Sequence, residues 1–291
     1  MLARHFFMLV LLSATWGGSF VLLRIATPAL GPWGVAGLRC LLATGVLALI
    51  MHATRMRWPP RSAWPALAFV GLLTLVCPYV LFPLAALVLP AGYSSVLNTT
   101  APLFGVLGAV ALGDEKLAIR RLIGCALGLV GVVLLMQLGP VVVSTTTILG
   151  ALACTLAAAT YGIGAIFMKR ATRDHDALPV AAAAHVAASV VLLIPTVLAG
   201  PRIQVTWSGM FSLVILGTVT SGLMYWASLR LMREVAASAA TAAAFLIPFF
   251  GVAWGRLFLA EPFTSGMLPG CRLVLAATLL VTGFNPLRRR S

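Results

Sequence analysis

Gly71-Leu72-Leu73-Thr74-Leu75-Val76-Cys77-Pro78-Tyr79 is answered about 146 residues downstream by Gly217-Thr218-Val219-Thr220-Ser221-Gly222-Leu223-Met224-Tyr225. Gly, Thr and Tyr keep their places in the two copies. At the same offset, without a gap, Pro102, Phe104 and Gly105 recur as Pro248, Phe250 and Gly251, Glu115 as Glu261, and Gly124 as Gly270. Trp16-Gly17 has its counterpart in Tyr161-Gly162, one residue off that offset. Each copy holds an odd number of apolar spans, and an odd number forces the second copy to lie upside down in a bilayer. That is an inverted-topology repeat, an architecture of many secondary transporters. The expected fold is all-α and integral to the membrane, with ten transmembrane helices in two inverted five-helix repeats, residues 1–143 and 144–291.

Composition bounds the same answer. Of the 291 residues, 61% are hydrophobic and 9% charged, too little polar surface to cover a soluble domain of this size. Ten apolar stretches are each about 18–23 residues, enough to cross about 30 Å of hydrocarbon. They fall near 6–26, 33–51, 63–82, 91–112, 119–138, 147–168, 179–199, 208–229, 236–259 and 265–284. The first lacks a small-x-small cleavage site and reads as a retained helix rather than a signal peptide. Gly and Pro mark the turns, as at Gly31-Pro32, Pro59-Pro60 and Gly200-Pro201. The polar run Ser144-Thr145-Thr146-Thr147 joins the halves.

The net charge of +14 is a topology signal and not a nucleic-acid footprint. Lys and Arg crowd into alternate loops and the termini: Arg55, Arg57 and Arg61, then Lys116, Arg120 and Arg121, then Lys169, Arg170 and Arg173, then Arg288 to Arg290. The opposite loops hold Arg202 alone, and Arg24, Arg39, Arg256 and Arg272 fall within spans. By the positive-inside rule both termini face the cytoplasm, with basic loops against anionic lipid. A cysteine probe at Ser144 is then expected to react with an impermeant reagent from outside, and one at Arg57 or Ser291 to be protected. The reverse labelling would invert the topology.

Chemistry-bearing residues are few. The carboxylates are Asp114, Glu115, Asp174, Asp176, Glu234 and Glu261, all expected at span ends or in loops. That argues against a proton-driven pump using a membrane Glu and leaves an embedded hydrolase without its acid. No HExxH, GxSxG or P-loop is present. Cys40, Cys77, Cys125, Cys154 and Cys271 lie singly in apolar spans without metal-ligand spacing, so no metal and no cofactor is expected. Glu115 and Glu261 stand just before spans, where a carboxylate meets the positive end of a helix, a gain of about 0.3–1 kcal/mol when exposed. Either that helix-end role or a gate, Glu261 pairing with Arg39, Arg256 or Arg272, fits Arg39, Glu115 and Glu261.

Within the spans, Trp16, Ser19, Tyr79, Asn98, Thr99, Tyr161, His185 and Tyr225 are the candidate substrate-lining residues, because polar groups in lipid must face the bundle or a wet cavity. Asn98 either binds substrate or ties two helices together. His185 is either a buried neutral hydrogen-bonder or a proton-sensitive group. Pro102 and Pro248, matched between copies, are either packing kinks or hinges for rocking between two access states. Gly124-x-x-x-Gly128 and Gly251-x-x-x-Gly255 suit close helix packing, internally or at a weak dimer face, so the chain is expected to be a monomer or weak homodimer.

Ala14-Thr15-Trp16-Gly17-Gly18-Ser19-Phe20 resembles the opening pattern of EamA-type permeases of the drug/metabolite transporter superfamily, and Gly37-Leu38-Arg39 looks like that family's second-span Arg. Ala91-Gly92-Tyr93-Ser94-Ser95 through Pro102, Gly113-Asp114-Glu115 and Arg121-Leu122-Ile123-Gly124 are similar to its fourth- and fifth-span signature. Pro248, Glu261-Pro262 and Gly270 repeat it, while Tyr161 stands for the Trp and Cys271-Arg272 follows Gly270. The resemblance implies a central cavity between the halves that moves metabolites across the inner membrane. Amino acids or similar small amphipathic metabolites are the leading substrates, with drugs or other metabolites as the alternative. A non-transporting scaffold or an embedded enzyme is the competing class, and the inverted repeat disfavours both.

Overall fold

The structure, a computed structural model, describes residues 3–114, 119–135, 144–235 and 243–259, with short pieces between 269 and 280. The described elements are all helical. Helix α1 (Ala3–Ala53) carries the first two expected spans. They part at Gly31, whose φ of 69° only glycine takes without strain, between Pro28 and Pro32. Helix α2 (Arg61–Ala86) is the third span. The fourth is split into α3 (Ala91–Asn98) and α4 (Ala101–Ala111). Then come α5 (Ile119–Leu135), α6 (Thr145–Asp174), α7 (Ala177–Ala199), α8 (Trp207–Glu234) and α9 (Ala243–Leu259). Helices α1, α2, α6, α7 and α8 are long and apolar enough to cross a membrane. Most of the expected tenth span, with Glu115 and Glu261, lies outside the described residues.

The chain starts its second half cleanly. Ser144 accepts a hydrogen bond from the Thr147 amide at 3.2 Å, and Thr147 Oγ1 accepts one from the Ser144 amide at 2.8 Å. This reciprocal cap satisfies two orphan donors at the start of α6.

The repeated motifs are among the places where the halves touch. A Cβ at Gly17 would lie 2.8 Å from the Ile247 carbonyl and 2.9 Å from the Gly251 amide, so α1 and α9 meet backbone to backbone. Its counterpart Gly162 packs against the Ala101 carbonyl and the Gly105 amide, bringing α6 onto α4. Each aromatic–Gly pair thus docks on the Pro-x-Phe-Gly of the opposite half. The other motif behaves alike: Gly71 of α2 abuts the Ala184 carbonyl of α7, and Gly217 of α8 abuts Leu42 and the Arg39 carbonyl of α1. Small residues at such crossings bring helices within reach of dispersion contacts, the main source of helix association in lipid.

Helices α2 and α8 share a further feature at matched positions. Leu72–Val76 and Leu216–Leu223 widen into π-helix, a local geometry frequent at functional sites. Thr74 and Thr220 sit within them, each hydroxyl donating to the carbonyl four residues back, Val70 at 2.8 Å and Leu216 at 2.6 Å.

At the end of the bundle that holds the N-terminus, Arg4 pairs with Glu234 at 2.9 Å and Arg170 with Asp114 at 2.9 Å, both across the two halves. The Arg170 guanidinium holds the Asp114 carboxyl below its usual range. These pairs are exposed, where single ion pairs contribute little. At the other end Arg24 donates to the Ala86 carbonyl at 2.8 Å, satisfying an acceptor at the end of α2.

Candidate functional site

A cavity opens where the two halves meet, walled by α1, α2, α3, the start of α4, α6, α8 and α9. It offers about 120 Å³ to the centres of water-sized spheres. One water needs about 10–15 Å³ on that measure, so a small organic solute fits. Most of the wall is apolar, with Leu12, Phe20, Leu23, Phe82 and Ile247 among its residues. Polar groups are set into this wall at a few points.

The break in the fourth span supplies one of them. Thr100 folds back on Leu97, its amide and its hydroxyl both donating to that carbonyl at 3.1 and 2.7 Å. Such local side-chain bonds compete with the helix ladder, and the helix restarts only at Ala101-Pro102. Asn98 is left as the last residue of α3, 7% exposed and at the cavity wall. Interrupted helices of this kind commonly carry transporter binding sites.

A second polar point is Arg39, on the second span of α1. The residue is 6% exposed yet lines the cavity. Nε donates to Ser221 Oγ, Nη2 donates to Thr220 Oγ1 at 3.2 Å, and Cζ stands 3.9 Å from the centre of the Tyr79 ring. All three partners are neutral. A desolvated cation over an aromatic face gains about 2 kcal/mol or more, and the hydroxyls fix its direction.

Tyrosines and a tryptophan complete the wall. Trp16 Nε1 donates to the Thr220 carbonyl at 3.3 Å, and Ser19 donates to the Trp16 carbonyl at 2.6 Å. The Tyr225 hydroxyl is 2.9 Å from Thr74 Oγ1. Tyr161 is also in the wall, with its ring centre 6.1 Å from that of Phe82.

Of the eight residues expected to line the site, Trp16, Ser19, Asn98, Tyr161 and Tyr225 are at the wall. Tyr79, Thr99 and His185 are not among the lining residues. Tyr79 lies beneath Arg39, Thr99 is fully buried at the helix break, and His185 stands behind Tyr225 with ring centres 4.8 Å apart. His185 Nδ1 is 2.9 Å from the Ala181 carbonyl. A carbonyl only accepts, so that nitrogen carries a proton. Arg39, expected as a helix-end or gate residue, is in the wall. Pro102 opens α4 just after a break, whereas Pro248 sits inside the continuous helix α9. The pair is matched in sequence and unlike in local structure. Thr74, Met168 and Ser228 also line the cavity and were not singled out as lining. The repetition of Thr74 as Thr220 was the signal that could have found the first.

A family model described as the EamA-like transporter family matches the chain twice, over residues 4–137 and 148–283. An uncharacterized transporter of Bacillus subtilis, YvbV, is 27% identical over 94% of this chain and 90% of its own length. An uncharacterized inner membrane transporter of Escherichia coli strain K12, YedA, is 27% identical over 92% of this chain and 87% of its own. A protein of Streptantibioticus cattleyicolor named a probable terminal-alkyne amino-acid exporter is 27% identical over 99% of this chain and 97% of its own. A solved crystal structure superposes with a TM-score of 0.74, covering 94% of this chain and 97% of its own at 18% identity, a likeness of fold alone.

Proposed function

The chain belongs to the EamA-like transporter family, and from that premise we propose that it exports small amphipathic amino acids or close metabolites across the inner membrane. Both termini face the cytoplasm in this reading, as the basic loops require. The solute occupies the cavity between the inverted halves, and the halves rock about it to give alternating access. Pro102, beside the break after Asn98, and Pro248 serve as the flex points.

One observation carries the reading: the cavity is apolar over most of its wall and holds an amide, hydroxyls and one cation at separate points. An amphipathic solute needs both kinds of surface. The relative named as an amino-acid exporter supports the substrate class.

Counterflow of labelled L-phenylalanine, L-leucine and L-methionine in proteoliposomes tests it. Exchange of at least one is expected in the wild type. Losing a hydrogen bond to a charged group costs about 1.5–3 kcal/mol, so Asn98→Ala should slow exchange about tenfold or more while the protein remains folded. Leu134→Ala, on α5 away from the cavity lining, should not. Equal rates in wild type and Asn98→Ala would move the site elsewhere.

A further inference from the structure

We propose that the Arg39 guanidinium is the anchor for the substrate's carboxylate, and that the carboxylate is the group without which a solute is refused. The inference deepens the reading above and rests on it for the identity of the solute.

The argument begins with charge. A buried cation is stable when an anion accompanies it. Among the described residues no carboxylate pairs with Arg39. Asp114, Asp176 and Glu234 are already held by Arg170, Arg233 and Arg4 at one end of the bundle. Neutral groups take their place: Ser221 and Thr220 accept from Nε and Nη2, and the Tyr79 ring covers one face. No hydrogen bond from Nη1 to a described residue accompanies these, and the residue lines the cavity. The guanidinium is therefore oriented, desolvated and without a carboxylate partner among the described residues, beside a cavity of substrate size. Arg presents a planar fork that matches a carboxylate.

Asn98 gives a second, independent observation. The residue is 7% exposed and lines the same cavity, and its amide makes no hydrogen bond to another described residue. An amide carbonyl there accepts from a substrate ammonium as readily as its NH2 donates to a carboxylate. The two groups come from different helices, α1 and α3, so a bound amino acid would span them. The apolar wall formed by Leu23, Phe82 and Ile247 then receives its side chain. The arrangement selects zwitterions and monocarboxylates and disfavours purely cationic amphiphiles, which meet the Arg39 charge.

The test uses competition rather than rate alone, because a structural Arg would not set selectivity. Counterflow of labelled L-phenylalanine is challenged with unlabelled L-phenylalanine, with 3-phenylpropionate, which lacks the amine, and with L-phenylalaninamide, which lacks the carboxylate. In the wild type the first two compete, and the amide is weaker by about tenfold or more. Arg39→Lys keeps the charge without the fork and should retain the preference in reduced form. Arg39→Gln should lose it, with phenylalanine and the amide competing alike. Equal competition by the amide in the wild type, or an unchanged preference in folded Arg39→Gln, overturns the anchor. If the wild type exchanges no amino acid, the substrate reading fails separately. Thermal stabilisation of the detergent-purified protein by 3-phenylpropionate then decides the anchor. Stabilisation present in the wild type and absent in Arg39→Gln supports it. Equal stabilisation of the two, or none in either, overturns it. If Arg39→Gln does not fold, a reduced stabilisation of Arg39→Lys supports the anchor, and its full retention overturns it.

Discussion

Gly162→Leu is expected to leave no exchangeable transporter. A Cβ at Gly162 would lie 2.7 Å from the Gly105 amide and closer still to the Ala101 carbonyl, and both are backbone atoms that no rotamer change can move aside. Overpacking a tight site typically costs about 1–3 kcal/mol, and occasionally more. With two backbone neighbours the upper end applies, and the extra carbons of leucine would drive α4 away from α6. Those helices wall the junction between the halves, so the loss should appear twice: a fall in thermal stability in detergent, and counterflow at the level of empty liposomes. Gly17→Leu should do the same from the opposite half, against Ile247 and Gly251. Gly45→Ala is the internal control. Nothing lies within 4 Å of a Cβ there, and alanine in a helix is favoured over glycine by about 0.5–1 kcal/mol. Normal exchange by Gly162→Leu would mean that the docking of the aromatic–Gly pair on the opposite Pro-x-Phe-Gly is not what holds the halves together.

The same contacts explain how far the fold could be read from the residues. Gly17, Gly162, Gly71 and Gly217 recur because each crosses a helix of the other half at close distance. A repeat of glycines at fixed spacing is thus a record of packing, and it was visible without coordinates. The spans were legible because lipid demands long apolar runs. The site was legible only in part. Trp16, Ser19, Asn98, Tyr161 and Tyr225 reach the cavity because a polar group in a span has few other places to go. Tyr79, Thr99 and His185 obey the same rule through protein contacts. Tyr79 lies under a guanidinium, Thr99 lies in a helix break, and His185 is fully buried on a helix whose Ala181 to Ala184 are equally buried. Polarity within a span says that a partner exists, not which partner.

Arg39 shows how little of the site's geometry one helix carries by itself. Eight residues beyond the Gly31 kink, at 1.5 Å rise per residue, it lies about 12 Å along its helix. That depth alone suits either a helix end or a cavity. What decides is the facing of α1 toward α8, where Thr220 and Ser221 sit on the widened π segment. No property of α1 by itself carries that information. The break at Thr99-Thr100 was similarly hidden, since Pro102 and Pro248 match in sequence while Pro102 follows Thr100, whose hydroxyl bonds back to Leu97, and Pro248 lies within a continuous helix.

The central claim is that solute passes through the cavity between the halves, and blocking that cavity tests it most directly. Ser19 lines it at 7% exposure. Cysteine is placed there in a background from which Cys40, Cys77, Cys125, Cys154 and Cys271 have been replaced, and the purified protein is treated with a bulky thiosulfonate before reconstitution. The adduct fills space that holds only a small solute. Modified Ser19→Cys should therefore lose amino-acid counterflow to the background of empty liposomes, and bound substrate should slow the modification. Val205→Cys, in the exposed loop between α7 and α8, should be modified by the same reagent with no loss. The account predicts a complete block at Ser19→Cys that substrate delays; stoichiometric modification there with exchange continuing at the unmodified rate would contradict it.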